Sequence, residues 1–119
     1  MRTKGAECQQ YPFAVYVHLM YNIEVSKSHE FDWDEHNEQH LAKHGIRSSE
    51  AEDILAGNHI LLEYQMEGNE HRWVAVGATR AGRILNIVFA VRGEAIRPIT
   101  GWDADKETAD MYIREWGTE

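Results

Sequence analysis

Hydrophobic and polar positions alternate with a period of two between residues 70 and 102. Three runs rich in β-branched and aromatic residues, HRWVAVGAT, RILNIVFAV and EAIRPITGW, are separated by turns at Arg80–Gly82 and Arg92–Gly93. Such runs are typical of strands, and glycine is typical of the turns between them. An earlier run, HILLEYQ at residues 59–65, has the same character and is followed by a turn at residues 66–69. The pattern predicts a four-stranded antiparallel meander.

Side-chain parity assigns the meander residues to two faces, because successive strand residues point to opposite sides of a sheet. We assume turns that preserve parity. One face then carries large apolar residues, which we expect helices to cover: Val74, Val76, Leu85, Ile87, Phe89, Ile96 and Pro98. The other face mixes imidazole, aromatic, amide and guanidinium groups: His71, Trp73, Asn86, Arg97 and Ile99. This assignment places Arg72 and Arg97 on opposite faces.

A helix is predicted before the meander, in the stretch DWDEHNEQHLAKHG. It runs from about Asp34 to His44 and stops at Gly45, because glycine commonly ends helices. Asp32 or Asp34 is its candidate N-cap, since a carboxylate can accept hydrogen bonds from the first free amides. Its apolar stripe is thin, so we expect the helix to be partly exposed.

Two further helices complete the predicted domain. One begins at Ser48 or Ser49 and closes at Gly57, before the first strand. The other follows the meander and is capped by Asp103 or Asp105. Strands that follow one another in sequence, with helices grouped at the ends, are typical of an α+β fold.

Residues 1–30 are an extension to this single domain, which spans residues 31–119. Apolar residues alternate over residues 13–25, which predicts a candidate additional edge strand. The alternative is that Met20 is the true start and the extension is incidental. The extension is too short and polar to span a membrane, and it lacks the apolar core of a signal peptide. We therefore expect no membrane association.

Charge is distributed unevenly along the chain, whose formal net charge is −8. Five arginines fall between residues 71 and 102, namely Arg72, Arg80, Arg83, Arg92 and Arg97. A local basic patch can attract phosphate despite distant acids, because salt screens the distant charges. The alternative is that scattered arginines only keep the sheet soluble. The single cysteine, Cys8, fits a reducing compartment, so we expect a cytoplasmic protein.

Three histidines are spaced four residues apart on the first predicted helix. His36, His40 and His44 would stack on one helix face, a spacing that can bind a transition metal. No cysteine supports a metal site, and the HExxH pattern is absent. A solvated polar face is the alternative, and we expect neither a metal nor a cofactor. A metal-binding regulator remains the third and weakest functional hypothesis.

The chain resembles the BrnT family of toxins from bacterial type II toxin–antitoxin systems over residues 31–114. The order and spacing of many short pieces carry this resemblance: Phe31-Asp32-Trp33-Asp34, Lys43-His44-Gly45, Ser49-Glu50-Ala51, Glu70, Arg72-Trp73, Gly77, Gly82-Arg83, Leu85, Phe89, Arg92-Gly93, Ile96-Arg97, Ile99-Thr100 and Tyr112. The resemblance implies a RelE-like fold and a ribonuclease that arrests growth by cutting RNA. It also implies a ribbon–helix–helix antitoxin, whose complex with the toxin binds operator DNA.

The chain departs from the family pattern at two positions. Trp102 stands where the family usually has an arginine, and Thr100 stands where a serine is common. The lost arginine weakens the case for phosphate binding, whereas threonine keeps the hydroxyl group. A toxin-like protein that binds its antitoxin but has weak or no activity is therefore the alternative to an active ribonuclease.

RNA cleavage needs a base for the ribose 2′-hydroxyl, positive charge at the phosphate and a proton for the leaving oxygen. Arginines can bind two phosphate oxygens, and histidines exchange protons near neutral pH. The candidate catalytic residues are accordingly Arg97, Arg72, His44, His71 and Thr100. The candidate RNA-binding residues, which supply charge or base stacking, are Arg83, Trp73, Trp102 and Lys43.

Several of these candidates have a purely structural alternative. Arg72 can pair with Glu70 or Glu94, a surface contact worth about 0–1 kcal/mol. Trp73 can be sheet packing, which is the commoner fate of a strand tryptophan. His44 can be an ordinary residue at a helix C-terminus. These alternatives stay open on sequence grounds.

Overall fold

The structure is a computed structural model that describes residues 30–117. It shows an α+β domain, as predicted. Its helices are α1 (Glu35–Lys43), α2 (Ser48–Ala56) and α3 (Lys106–Trp116). Its strands are β1 (His59–Glu67), β2 (Glu70–Ala78), β3 (Ile84–Arg92) and β4 (Ala95–Asp103). The strands form one antiparallel sheet in the order β1-β2-β3-β4, which confirms the four-stranded meander. The strand predicted at residues 13–25 lies outside the described residues.

The structure shows which of the alternative residues is the N-cap of each helix. Asp34 caps α1, accepting a hydrogen bond from the amide of Asn37, and Asp105 caps α3. Helix α2 begins at Ser48, but its cap position is Arg47, whose amide donates to the carboxylate of Glu50. In the part of the chain that the structure describes, no helix has the length and apolar character needed to cross a bilayer.

The predicted faces of β2 were wrong, because the β2–β3 turn has an odd number of residues. Three residues, Arg80 to Gly82, form the loop, which a hydrogen bond from the Thr79 amide to the Arg83 carbonyl closes at 2.8 Å. Gly82 has φ +92°, a left-handed conformation that suits glycine at the third loop position. A loop with an odd number of residues places the even-numbered residues of β2 opposite the even-numbered residues of β3. Val74 therefore pairs with Val88 and does not share a face with the odd-numbered residues of β3, as had been predicted.

The sheet therefore has a helix-packed face, which carries Trp73, Ala75, Leu85, Ile87 and Phe89. These residues form the core with buried residues of α1, α2 and the loop between them: Leu41, Ile46, Ala51, Ile54 and Leu55. The opposite face, which we call the arginine face, carries Arg72, Val74, Val88, Ala90 and Arg97. Arg72 and Arg97 thus share a face, contrary to the sequence-based assignment.

Gly101 allows close contact between β4, β3 and the α1–α2 loop. A Cβ atom at this position would lie 2.7 Å from the Asn86 carbonyl oxygen and 2.8 Å from Cδ1 of Ile87. Because the Asn86 contact is with backbone, we expect Gly101→Ala to lower the free energy of unfolding by about 1–3 kcal/mol. Urea unfolding measures this loss. Ala81→Ser, in an exposed turn, is the control, and equal stability of both variants would contradict the prediction.

Candidate functional site

Three arginines converge on the arginine face at one end of the sheet. Arg72 and Arg97 are the cross-strand neighbours of Ala90, one on each side, so their Cα atoms are about 10 Å apart. Arg92 lies two residues beyond Ala90 on the same face of β3. Arg72, Arg92 and Arg97 are called the arginine cluster below. The convergence requires the three-residue turn, since an even turn would separate Arg72 from the others.

Three carboxylates bind the arginine cluster. Glu70 lies between two of its members, with Oε2 2.7 Å from Nε of Arg92 and Oε1 3.3 Å from Nη2 of Arg72. Nη2 of Arg97 lies 3.1 Å from Oδ2 of Asp34, and Nη1 of Arg97 lies 3.5 Å from Oδ1 of Asp32. Three guanidinium groups therefore face three carboxylates, and the site as a whole is close to neutral.

The ion pairs change the acid–base properties of these groups. Hydrogen bonding from Arg92 lowers the pKa of Glu70 below its ordinary value of 4.5, and Arg72 contributes to the same effect. Glu70 in turn raises the pKa of Arg92, with further contributions from Asp32 and Asp34. A carboxylate with a lowered pKa is ionised at neutral pH and is a weak base. Glu70 is thus suited to holding arginines and poorly suited to removing a proton.

We expect Glu70→Gln to lower stability by about 0.5–1 kcal/mol at neutral pH, where the carboxylate is ionised in both states. The folded-state pKa of Glu70 is lowered, so its stabilisation is present above pH 4.5 and is lost as the pH falls through the folded-state pKa. Urea unfolding of wild type and variant should show a difference at pH 7 that closes in acid. A difference that persists in acid would contradict the prediction. Glu94→Gln, in the exposed β3–β4 turn, is the control.

Arg97 is the most buried member of the arginine cluster, with 8% of its surface exposed. The segment before α1 surrounds its guanidinium group, because Phe31 forms a parallel bridge with Ile96 at the outer edge of β4. The Asp32 amide donates to the Ile96 carbonyl at 2.8 Å, which brings Asp32 and Asp34 beside Arg97. The pKa of Asp34 is lowered chiefly by its hydrogen bond from the Asn37 amide, and then by Arg97.

His71 lies at the same end of the sheet, next to Arg72 in sequence but on the helix-packed face. It is half-buried, and its imidazole stacks on the indole of Trp73 with ring centroids 6.1 Å apart. Nδ1 of His71 is hydrogen-bonded to the hydroxyl group of Tyr64 on β1. His71 therefore lies at the same end of β2 as Arg72, but its side chain points to the other side of the sheet from the arginine cluster.

Arg83 lies at the opposite end of the sheet and joins three parts of the structure. Its Nε donates to Asp103 at 3.0 Å, and its Nη1 donates to Glu50 at 3.2 Å and to the Gly45 carbonyl at 2.9 Å. Asp103 raises the pKa of Arg83. Asp103, a candidate helix cap in the sequence, is thus an ion-pair partner instead.

Three other predicted residues belong to this far end. Lys43 and His44 are exposed at the C-terminal end of α1, and Trp102 is 40% exposed near the end of β4. Trp102 is the fifth residue after Arg97 along the strand, a distance of about 17 Å. The structure therefore does not bring His44, Lys43, Arg83 or Trp102 into the arginine cluster.

Two predicted residues lie between the ends of the sheet or inside it. Trp73 is 3% exposed and belongs to the core, so the packing alternative describes it and its surface placement was wrong. Thr100 is half-buried opposite Val88, where a register shift in β3–β4 marks an irregularity. Trp73 therefore points away from the arginine cluster, whereas Thr100 shares the arginine face with its partner Val88.

The histidines of α1 do not form a metal centre. The rings of His36 and His40 contact each other with centroids 4.6 Å apart. Within residues 30–117, no group of three histidine, cysteine or acidic side chains is arranged to hold a metal ion. The described geometry therefore gives the metal-regulator hypothesis no support.

Sequence reasoning missed several residues of this end of the sheet. Arg92 appeared among the five arginines of the basic patch and Glu70 as a pairing partner of Arg72, but neither was a candidate site residue. Tyr64 and Asn37 had no assigned role. Glu70 had a usable signal, because residues i and i+2 of a strand share a face and Glu70 stands two before Arg72. Tyr64 and Asn37 had none, since their partners are distant in sequence or lie in backbone.

Comparison with known families identifies the chain. Residues 33–108 match the model of a family described as ribonuclease toxin, BrnT, of type II toxin–antitoxin systems. No curated protein matches the chain significantly. The family match covers most of the domain, including α1, α2, the whole sheet and the start of α3. The chain therefore belongs to the BrnT family.

Proposed function

We propose that this member of the BrnT family is a metal-independent endoribonuclease that arrests growth by cutting RNA. The observation that carries the proposal is the convergence of Arg72, Arg92 and Arg97 at the end of the sheet where His71 also lies. Guanidinium groups supply the positive charge that phosphoryl chemistry requires, and an imidazole exchanges protons near neutral pH.

The proposed reaction is attack of the ribose 2′-oxygen on the adjacent phosphorus. A base takes the proton of the 2′-hydroxyl, the O2′–P bond forms and the P–O5′ bond breaks. His71 is the candidate base at this end of the sheet, and because its ring lies on the face opposite the arginine cluster, it has to act around the end of β2. Arg97 and Arg72 bind the phosphate oxygens, which gain negative charge in the transition state. The leaving 5′-oxygen receives a proton, either from the protonated His71 or from water. The products are a 2′,3′-cyclic phosphate and a 5′-hydroxyl end.

RNA has to compete with the carboxylates that already bind the arginine cluster. Arg92 and Arg72 keep 50% and 27% of their side chains exposed, so a phosphate can approach both groups. Each guanidinium group has five N–H donors, so it can hold a carboxylate and a phosphate together. The carboxylates thereby fix the arginine side chains in place before the substrate arrives, which lowers the cost of ordering them on binding.

The far end of the sheet is proposed to bind neighbouring nucleotides. Trp102 is exposed enough to stack on an unpaired base, a contact worth about 1–3 kcal/mol. Lys43 adds positive charge at this end, and Arg83, which pairs with Glu50 and Asp103, keeps 31% of its side chain exposed. His44 and Thr100 remain candidate contacts. A separation of about 17 Å between this end and Arg97 suits a single strand several nucleotides long.

The proposed protein partner is a ribbon–helix–helix antitoxin that neutralises the toxin in the cytoplasm. Family membership implies an antitoxin, because type II systems pair two proteins. Operator DNA would be bound only through the antitoxin, since the chain itself carries a formal net charge of −8. A neighbouring reading frame that encodes a small ribbon–helix–helix protein would support this partner.

Incubation of the purified chain with a defined single-stranded RNA in excess chelator tests the proposal. We expect cleavage products with 2′,3′-cyclic phosphate ends, and we expect expression without the antitoxin to arrest growth. Intact RNA under these conditions, together with unimpeded growth, would overturn the proposal.

One observation favours a second function, that of a catalytically weak toxin that only binds its antitoxin. Glu70, Asp32 and Asp34 neutralise the arginine cluster, and Trp102 stands where the family usually has an arginine. Both features reduce the positive potential at the phosphate. Tight binding of the antitoxin without cleavage of RNA would establish this second function.

A further inference from the structure

The two outer edges of the sheet differ in what lies beside them. At the edge of β4, the Ile96 amide donates to the Glu30 carbonyl at 3.0 Å, and the Asp32 amide donates to the Ile96 carbonyl at 2.8 Å. Further along β4, the Pro98 carbonyl accepts a hydrogen bond from the side chain of Asn37. Among residues 30–117, β1 is the last strand on the other side of the sheet, and its strand neighbour is β2.

β1 has an apolar side and a polar side. Leu61, Tyr64 and Met66 lie on the helix-packed face of the sheet. Leu61 and Tyr64 are half-buried, and Met66 is 54% exposed. Over the same stretch, the arginine face carries Glu63 and Gln65. The outer edge of β1 therefore suits a further strand whose apolar side chains lie on the helix-packed face, because an edge strand presents backbone groups that can pair.

Residues 13–25 have the sequence of such a strand. The stretch FAVYVHLMYNIEV follows Pro12 and contains neither glycine nor proline. Its odd-numbered residues are all apolar or aromatic, whereas His18, Asn22 and Glu24 stand among the even-numbered ones. Successive strand residues point to opposite sides, so one face of this strand is apolar and the other is mixed.

The position of Glu30 determines how this segment can reach the sheet. Phe31 bridges Ile96 in parallel, so the chain before Glu30 approaches from the end of the sheet where β4 begins, beside the arginine cluster. It cannot continue along β4, because β4 starts at Ala95. β1 finishes at the same end of the sheet, at Glu67. A strand at the outer edge of β1 that leads to Glu30 therefore runs parallel to β1.

We propose that residues 13–23 form a fifth strand, which pairs in parallel with the outer edge of β1. This strand lies five strand spacings from Glu30, a distance of about 24 Å. About seven residues of extended chain cover that distance, so residues 24–29 form the connection. The odd-numbered residues of the new strand lie on the helix-packed face, beside Met66.

A second copy of the chain is a poorer occupant of this edge. Pairing of two β1 strands brings Glu63 and Glu67 close to the same residues of the other copy, and like charges across a strand pair are destabilising. Residues 13–23 carry no acidic side chain. They are also tethered to the domain, and a short tether gives an effective concentration on the order of millimolar.

Amide hydrogen exchange of the full chain, followed by NMR, tests the proposal. A strand with one neighbour has alternate amides protected, whereas a strand with two neighbours has consecutive amides protected. From Glu63 to Glu67, where the register with β2 is regular, we expect consecutive protection in the wild type. Val17→Pro should speed exchange of the outward-facing amides of this stretch at least about tenfold, because proline disrupts a paired strand. Gln9→Pro, before Pro12, is the matched control and should exchange like the wild type.

Two results would overturn the proposal. Alternate protection in the wild type would show that no strand covers β1. Consecutive protection that survives Val17→Pro would show a different occupant, and a second copy of the chain if the protection weakens on dilution. Equal protection of the β3 amides in all three proteins verifies that the domain stays folded.

Discussion

Replacement of Arg97 by alanine is expected to reduce RNA cleavage about 100- to 1,000-fold, the loss typical when one preorganised donor to a developing charge is removed. Arg97 flanks the centre of the arginine cluster and is held by Asp32 and Asp34. Its replacement therefore removes the best-ordered positive group of the site. Initial rates on a defined RNA measure the effect, and growth after induction of the variant measures it in cells.

Folding has to be controlled in this experiment, because Arg97 is nearly buried. Urea unfolding should show that Arg97→Ala remains folded under assay conditions, and Arg97→Lys should keep part of the activity by keeping the charge. Arg80→Ala is the matched control: Arg80 pairs with Asp53, its side chain is 93% exposed, and it lies at the far end of the sheet. Equal loss in both alanine variants would argue against a specific role for Arg97.

The second large effect is expected at Asn37, where aspartate should lower the free energy of unfolding by about 3–5 kcal/mol. The side chain of Asn37 is 1% exposed and its amide donates to the carbonyl oxygens of Asp32 and Pro98, at 2.9 and 2.8 Å. A carboxylate cannot donate, so both carbonyls would lose their donor and face a buried negative charge. Urea unfolding measures the loss.

A matched exchange elsewhere on α1 isolates the effect of burial. Gln39→Glu also replaces an amide by a carboxylate, but Gln39 is exposed and contacts only Glu35. Its effect should stay within about 0.5 kcal/mol. Similar stability of Asn37→Asp and Gln39→Glu would contradict the role given to Asn37 in joining α1 to β4.

The order of helices and strands was predictable because each boundary has a local cause. Gly45 and Gly57 end helices, Asp34 and Asp105 begin them, and β-branched runs fill the strands. The faces of β2 were not predictable in the same way. They depend on whether the loop after β2 has an even or odd number of residues, and the hydrogen bond that closes it at Thr79 has no signal in the hydrophobic pattern.

The site was only partly predictable for a related reason. Sequence identified Arg72, Arg97 and His71 as candidates, and the structure places all three at one end of the sheet. The sequence could not indicate that Asp32 and Asp34 neutralise Arg97. A bridge between Phe31 and Ile96 creates that contact between segments 65 residues apart in the chain. Net charge and local composition describe sequence neighbours, whereas ion pairs depend on spatial neighbours.

The location of the RNA is the central claim, and NMR titration with an uncleavable RNA tests it most directly. An oligonucleotide with 2′-O-methyl groups lacks the attacking hydroxyl and remains intact during the measurement. We expect the side-chain signals of Arg72, Arg92 and Arg97 and the imidazole signals of His71 to shift as RNA is added. Shifts confined to Arg83, Lys43 and Trp102, with the arginine cluster unchanged, would contradict it.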